Sequence, residues 1–319
     1  MMVRSALAKM SWEGYTLRSL QHANSAFVPT FLYGTAWKKD RTGDLVRQAI
    51  STGFRAVDTA AQPKHYREDL VGEGVRKALS DGTVRREDLY IQTKFTSVNG
   101  QNPDDMPYNP KDSLTDQVHA SVRSSFYNLR PSAEPESAEE TYIDTLVLHS
   151  PLPTMAQTIE AWSTLETYVP HRIRHLGISN TTLPILRELV SLAKVKPAVV
   201  QNRFYGGTQF DVPLRAYCRE HEIVYQSFWT LTANPELVRS RPVIALARDA
   251  GVSSAAALYG LVLGLGQTTI LNGTTKKEHM EADLNALKSL ALFSSENPEE
   301  WQSILEDFEQ FTGDHVYLQ

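Results

Sequence analysis

The chain has 319 residues, 41% of them hydrophobic, and a formal net charge of −5 at pH 7, so it can bury a large core, and nucleic acid is not expected as a partner. The longest apolar run, residues 255–266, is shorter than the roughly 20 residues that span a bilayer, and no secretory signal opens the sequence, so no membrane association is expected. The single cysteine, Cys218, excludes an internal disulfide and predicts a cytoplasmic protein in which this thiol fills the core.

Eight short apolar runs, each followed by a segment with helical spacing, predict eight strand–helix units. The runs alternate little between apolar and polar residues, as expected of strands that are covered on both faces. They comprise residues 31–36, 56–60, 89–95, 143–150, 173–180, 198–204, 223–229 and 268–274. Eight such units predict an α/β fold, a (β/α)₈ TIM barrel that forms a single domain over residues 1–319, with an open doubly wound sheet as the alternative.

Four segments fall outside these units. Residues 12–28 precede the first barrel strand and predict an N-terminal hairpin across the bottom of the barrel, and residues 292–319 predict an extra C-terminal helix and tail. The polar segment 96–112 follows a strand, which places it on the face where long loops are usually functional. The acidic segment 131–141 precedes a strand and predicts a solvated insertion on the opposite face.

Three ionisable residues stand where apolar runs end. Asp58 closes the run 54–58, Lys94 closes the run 89–94, and His149 closes the run 146–149. Because parallel strands end on one face of a barrel, we expect the three side chains to converge there, where barrel enzymes carry their chemistry. A buried ammonium needs a counter-ion, and Asp58 is the candidate partner of Lys94.

Tyr66 follows Asp58 closely and supplies a candidate proton donor. A free phenol titrates near pH 10, too high for fast proton donation at neutral pH. A nearby cation favours the phenolate, so Lys94 is expected to lower the pKa of Tyr66 toward working pH. In this scheme Asp58 holds Lys94, and His149 orients a carbonyl oxygen.

The sequence resembles the aldo-keto reductases along nearly its whole length. Each short motif is weak alone, but together they are highly specific. The matching segments are residues 34–37, 53–60, 93–94, 146–149, 177–180, 200–202 and 271–274. The resemblance implies a barrel that binds NADPH over the strand ends and passes a hydride reversibly between the nicotinamide and an aldehyde or ketone.

The resemblance also implies roles for individual residues. The catalytic residues would be Asp58, Tyr66, Lys94 and His149. The cofactor would be bound by Asp58, Ser179, Asn180, Gln201, Phe228, Trp229, Leu231, Thr274, Lys276, His279 and Asp283. The substrate pocket would be lined by Trp37, Phe95, His149, Tyr205 and Trp229. The aromatic walls predict a bulky, partly apolar carbonyl substrate.

Two departures from the family pattern affect these roles. The family usually places its tyrosine five residues after the aspartate, where this chain has Pro63; an insertion leaves Tyr66 as the donor, with His65 as its rival. At the positions that usually pair the 2′-phosphate with a basic residue, the chain has Gly273 and His279. Lys276 and the adjacent Lys277 could supply the charge, so NADPH is predicted, with NADH as the alternative.

No metal motif and no Gly-x-Gly-x-x-Gly motif occurs, so the expected cofactor is the dinucleotide alone, without a metal. The predicted oligomeric state is a monomer or a weak homodimer. Two other functions stay open. One is a catalytically weak nicotinamide-binding sensor on the same barrel, and the other is an unrelated hydrolase or isomerase that uses Asp58 and His149.

Overall fold

The computed structural model describes residues 10–17 and 26–317 and contains an antiparallel hairpin beneath a closed barrel. The hairpin consists of β1 (Gly14–Leu17) and β2 (Ala26–Pro29). The eight barrel strands are β3 (Phe31–Gly34), β4 (Ala56–Asp58), β5 (Tyr90–Phe95), β6 (Ile143–Leu148), β7 (Ile173–Ser179), β8 (Val199–Arg203), β9 (Val224–Phe228) and β10 (Thr268–Asn272). They are parallel and pair in chain order, with β10 closing onto β3.

Helices surround the barrel and fill the connections between its strands. They are α1 (Thr42–Thr52), α2 (Glu68–Ser80), α3 (Leu114–Asn128), α4 (Met155–Glu166), α5 (Leu183–Leu192), α6 (Val212–Glu220), α7 (Arg241–Asp249), α8 (Ser254–Gly264), α9 (Lys277–Glu296) and α10 (Pro298–Thr312). Several begin at a side-chain cap, as in α3, where the Ser113 hydroxyl accepts from the Asp116 backbone N–H at 3.1 Å. Such caps satisfy backbone donors that the first helical turn leaves free.

The predicted (β/α)₈ barrel, N-terminal hairpin and extra C-terminal helix are confirmed, and the doubly wound sheet is wrong. All eight predicted strands are too long by one or two residues, and in every strand except β5 the excess includes the last predicted residue, which belongs to the loop that follows. Residues 292–296 belong to α9, so the added helix begins only at residue 298. Residues 18–25 of the predicted hairpin and the last two residues of the predicted tail lie outside the described part of the chain.

Side-chain alternation along β5 sets the geometry of the site. Gln92 and Lys94 project into the barrel, where Gln92 reaches Gln226 on the far strand β9. Thr93 and Phe95 project outward to the helices, and the Thr93 hydroxyl donates to buried Glu68 of α2. This is the two-residue period of a strand. Each strand therefore contributes alternate side chains to the barrel interior and to the layer of helices.

The core runs around the barrel between strands and helices, and a second apolar cluster seals its lower end. The hairpin residues Tyr15, Leu17, Ala26 and Val28 pack there against the first residues of the barrel strands. Cys218 is fully buried in the main core, and burial raises the pKa of its thiol, as the prediction of a core thiol requires. In residues 10–17 and 26–317, no helix is long and apolar enough to cross a membrane.

Candidate active site

A buried ion pair lies at the centre of the barrel's upper end. The Lys94 ammonium donates to both carboxylate oxygens of Asp58, with Nζ 2.7 Å from Oδ1 and 2.6 Å from Oδ2. It also donates to the Thr59 backbone carbonyl at 2.8 Å. Both charged side chains are almost fully inaccessible to solvent. Burial lowers the pKa of Lys94, and the Asp58 carboxylate opposes that shift, so the predicted pairing of these two residues is present.

Three glutamine side chains form a polar floor beneath the ion pair. Gln92 Nε2 donates to Asp58 Oδ1 at 2.7 Å, and Gln201 Nε2 donates to the same oxygen at 3.0 Å. Both amides also donate to Gln226 Oε1, at 2.8 and 3.0 Å. Several hydrogen-bond donors hold a buried carboxylate in a fixed orientation. The floor therefore fixes Asp58 and, through it, the position of Lys94.

Tyr66 reaches the site although it lies three residues beyond the family position. Residues 62–66 form a tight turn in which the Tyr66 backbone N–H donates to the Gln62 carbonyl at 3.0 Å. The turn brings the Tyr66 ring to 5.2 Å from Lys94 Nζ, measured to the ring centroid. The same ring meets His149 edge-on, with the centroids 6.0 Å apart. The structure thus gathers Asp58, Tyr66, Lys94 and His149 in one cluster.

The expected lowering of the Tyr66 pKa is wrong for this structure. Desolvation of the phenol and the nearby Asp58 carboxylate raise the pKa of Tyr66 above its usual value. The main reason is that burial disfavours the charged phenolate, and the Asp58 carboxylate adds to this shift. Tyr66 is therefore fully protonated at neutral pH, as a proton donor must be.

His149 is held as a neutral imidazole at the pocket wall. Burial, the Lys94 ammonium and nearby His65 together lower the pKa of His149 to about 3. Its Nδ1 lies 2.6 Å from the Thr96 hydroxyl. When that hydroxyl donates to Nδ1, the ring proton lies on Nε2, where it can be donated to a carbonyl oxygen. Thr96 opens the 96–112 loop, so the loop and the imidazole are coupled.

His65, the rival proton donor, is stacked at the rim of the site. Its ring lies on Trp37 with centroids 3.8 Å apart, and the Trp37 backbone N–H donates to the His65 carbonyl at 2.8 Å. Burial lowers the pKa of His65. It is Tyr66, rather than His65, whose ring lies beside both Lys94 and His149.

The amide-binding residues predicted on β7 and β8 lie next to this cluster. Asn180 follows β7 with a positive φ of 51°, and its Nδ2 donates to the His149 carbonyl at 2.9 Å. The Ser179 hydroxyl donates to the Gln201 carbonyl at 2.6 Å. Because the Gln201 side chain donates to Asp58 and Gln226, it is part of the floor as well as a neighbour of Ser179.

Aromatic side chains surround the mouth of the barrel. Trp37 and Trp229 are the most open, at 59% and 49% exposed, and Tyr205 is half-buried. Half-buried Phe228 meets the Trp229 ring edge-on, with centroids 6.2 Å apart. Leu231 is half-buried and packs against the core. These rings offer flat apolar faces at the site entrance.

Phe95 does not belong to this wall, and its predicted place in the substrate pocket is wrong. It is 1% exposed and packs against Tyr108, with ring centroids 5.9 Å apart. The reason is strand alternation: Lys94 points into the barrel, so Phe95 points away from it. Through Tyr108, whose hydroxyl donates to the Thr96 carbonyl at 2.6 Å, Phe95 supports the loop from below.

The residues predicted to hold the adenosine phosphate follow β10. Asn272 Nδ2 donates to Asp283 Oδ2 at 2.7 Å, and Asn272 Oδ1 accepts from the Thr274 backbone N–H at 3.1 Å. Burial raises the pKa of Asp283. Lys276 and His279 are exposed beside the first turn of α9. Because helix N-termini and cations both favour phosphate, this end of the site fits the extra phosphate of NADPH.

Four further residues contribute to the site and were missed from the sequence. Gln92 and Gln226 complete the floor. Gln92 lies two residues before Lys94 and Gln226 two residues before Phe228, and this two-residue spacing could have predicted that both side chains point into the barrel. Lys38 donates to the Gly273 carbonyl, and burial together with Arg41 lowers its pKa to about 8. Thr96 had no sequence signal, because its role depends on which side chain lies opposite it in the folded site.

Within residues 10–17 and 26–317, no group of three or more His, Cys, Asp or Glu side chains could hold a metal ion. The site lies at the mouth of a closed barrel and combines a buried Lys–Asp pair, a protonated phenol, a neutral imidazole and aromatic walls. That combination suits proton-coupled reduction of a carbonyl group.

Comparisons with known proteins agree with that class. A sequence model of the Aldo/keto reductase family matches residues 30–236. An uncharacterized oxidoreductase of Schizosaccharomyces pombe is 27% identical over 82% of this chain and 83% of its own length. Glycerol 2-dehydrogenase (NADP(+)) of Hypocrea jecorina is 27% identical over 86% of this chain and 88% of its own.

A solved structure is also similar. An aldo-keto reductase of Bombyx mori in complex with NADP superimposes with a TM-score of 0.68 at 20% identity, over 89% of this chain and 92% of that one. The chain belongs to the aldo/keto reductase family and is an oxidoreductase acting on carbonyl or alcohol groups, which confirms the resemblance drawn from its motifs.

Proposed function

We propose that the protein reduces an aldehyde or ketone with NADPH, with Tyr66 as proton donor and His149 orienting the carbonyl. The observation that carries this proposal is the convergence of Tyr66, Lys94 and His149 despite the insertion before Tyr66. The protonated phenol and the neutral imidazole are the two donors that a developing alkoxide needs. The aromatic mouth supports a small-molecule carbonyl substrate with a bulky, partly apolar body.

NADPH would supply the hydride when bound. Its carboxamide would be held by Ser179, Asn180 and Gln201. The faces of Phe228 and Trp229 would cover the nicotinamide, and the segment after β10 would hold the adenosine phosphate. Lys276 is exposed, and no ion pair to it is present among the described residues, so its charge is free for a 2′-phosphate. The Bombyx mori structure is a complex with NADP, and the Hypocrea jecorina relative is a glycerol 2-dehydrogenase (NADP(+)). NADH stays the alternative cofactor.

In this reaction the protein's own groups manage the proton. Tyr66 donates its phenolic proton to the substrate oxygen, and Lys94 stands 5.2 Å from the ring that then becomes negative. His149 Nε2 fixes the same oxygen without changing its own charge, because its pKa of about 3 keeps it neutral. Lys94 and Asp58, which lie above the glutamine floor, are almost fully inaccessible to solvent. A cytoplasmic location and a monomeric or weakly dimeric state complete the proposal.

Turnover separates this function from the sensor alternative. NADPH oxidation is measured at 340 nm with a panel of aromatic and aliphatic aldehydes, for the wild type and Tyr66→Phe, and NADPH binding is measured by titration. We expect wild-type turnover, a loss on the order of 10²–10⁴ in Tyr66→Phe, and equal NADPH affinity in both. Tight NADPH binding without any turnover in the wild type would instead favour the sensor, and full activity in Tyr66→Phe would point to His65.

A further inference from the structure

Arg203 is a cation at the mouth of the barrel that no function described so far uses. It is the last residue of β8 and pairs in register with Phe228 of β9. Gln201, two residues earlier, points into the barrel and contacts Asp58 at 3.0 Å. Strand alternation therefore turns Arg203 to the same side as Gln201, about 6.6 Å further along the strand. That places its side chain above the catalytic cluster.

The guanidinium lies between two aromatic side chains. Its Cζ is 4.1 Å from the centroid of the Trp229 ring and 5.1 Å from that of Tyr205. Rings at these distances attract a cation, and they fix the plane of the guanidinium without using its N–H groups. The aromatic contacts thus orient the group but leave its hydrogen-bonding capacity free.

The polar atoms of Arg203 are unpaired. Its Nε is buried and has no hydrogen-bond partner, and among the described residues no carboxylate or carbonyl accepts from its guanidinium. Two other buried or partly buried arginines each have a carboxylate partner. Arg86 reaches Asp144 at 2.9 Å, and Arg215 reaches Asp314 at 2.8 Å, although its Nη1 has no hydrogen-bond partner. A buried donor without an acceptor is costly, so such a group is typical of a ligand site.

We propose that Arg203 binds an anionic oxygen group, a carboxylate or a phosphate, that a reactant brings to the mouth of the site. This inference rests on the proposed function and names its ligand chemistry. Nε and one terminal N–H of a guanidinium form a fork that matches two oxygens of such a group. Two sources fit this chemistry: a carboxylate on the carbonyl substrate, or the diphosphate of the dinucleotide.

Matched aldehydes distinguish the two sources. 4-Carboxybenzaldehyde and its methyl ester present the same carbonyl with and without a negative charge. Their KM values, and the NADPH dissociation constant, are measured for the wild type, Arg203→Met and Arg203→Lys. Arg130→Met is the matched control, because Arg130 also stacks on an aromatic ring, with Cζ 4.2 Å from the Tyr127 centroid, away from the site.

If the substrate brings the anion, Arg203→Met raises the KM of the acid roughly 10- to 100-fold and leaves the ester and NADPH within twofold. If the dinucleotide brings it, the NADPH dissociation constant rises by a similar factor and both aldehydes are affected equally. Arg203→Lys should recover part of either loss, because it keeps the charge without the fork. Changes within twofold for the acid, the ester and NADPH would overturn the proposal.

Two arms keep the result interpretable. Should Arg203→Met fail to fold by circular dichroism, Arg203→Gln carries the same comparison with a neutral polar side chain. Should the wild type reduce neither aldehyde, the proposed function fails on its own. The anion site is then read from the dissociation constants of NADP⁺ and of terephthalate in the wild type and Arg203→Met, and equal values would refute it.

Discussion

Replacing Lys94 by Met tests the centre of the site most directly. The substitution removes the ammonium but keeps an unbranched side chain of similar volume in the barrel. It leaves the Asp58 carboxylate buried, 1% exposed, and without its cation. Removing one member of a buried ion pair costs about 3–5 kcal/mol of unfolding free energy. Gln92 and Gln201 still donate to Asp58 Oδ1, at 2.7 and 3.0 Å, so we expect a value near the lower limit, about 3 kcal/mol.

That loss leaves a folded protein, because domains typically have about 5–15 kcal/mol of unfolding free energy. Carbonyl reduction should nevertheless fall by about 10²–10⁴, since no cation then stands beside the Tyr66 ring to balance the phenolate. Urea unfolding gives the stability, and single-turnover oxidation of NADPH gives the chemical step. NADPH affinity, measured by titration, should change little.

The double variant Asp58→Asn/Lys94→Met separates stability from catalysis. Each single variant leaves one buried charge unpaired, whereas the double variant leaves none. Most of the lost stability should therefore return in the double variant, as a coupling energy of about 2–3 kcal/mol, while turnover stays low. Near-normal turnover in Lys94→Met, or additive losses of stability in the double variant, would refute the roles given to this pair.

Three other predictions concern the edges of the site. Thr96→Val removes the hydroxyl 2.6 Å from His149 Nδ1 and should lower kcat/KM about tenfold while NADPH affinity stays unchanged. Thr96→Ser keeps the hydroxyl and should restore kcat/KM. A kcat/KM of Thr96→Val equal to that of the wild type would show that the hydroxyl has no role in the reaction. Because the pKa of His149 is about 3, the imidazole should stay neutral from pH 5 to 8, and an inflection near pH 6.5 that disappears in His149→Asn would contradict this. Replacing Lys276 and Lys277 together by Ala should lower the affinity for NADPH more than the affinity for NADH, as measured by titration. Equal losses of affinity for both dinucleotides would exclude contact between these lysines and the 2′-phosphate.

The sequence predicted the parts of the site that topology alone determines. Asp58, Lys94 and His149 stand at the ends of parallel strands, and in a closed barrel such ends must meet on one rim. Tyr66 could be named because few side chains near Asp58 in the sequence can donate a proton. The family motifs then supplied cofactor-binding roles for residues such as Asn180, which no spacing rule would have indicated.

The errors came from properties that depend on distances in three dimensions. The pKa of Tyr66 was predicted from the sign of its cationic neighbour, but burial of the phenol and the nearby Asp58 carboxylate both raise that pKa. Phe95 was assigned to the pocket, although its phase relative to Lys94 points it outward. Counting the two-residue period from Lys94 would have corrected Phe95 and would have added Gln92 to the floor.

The charges of the site suit carbonyl reduction better with a protonated Tyr66 than with the lowered Tyr66 pKa that the sequence predicted. Lys94 is balanced by Asp58, His149 is neutral, and Tyr66 keeps its proton, so the catalytic cluster as a whole carries little net charge before reaction. An alkoxide formed by hydride addition is a much stronger base than a phenolate, so even a phenol with a raised pKa can protonate it. Charge then develops on Tyr66, 5.2 Å from Lys94 Nζ at the ring centroid. Lys94 thus contributes most after the proton has begun to move, which is when stabilisation accelerates a reaction.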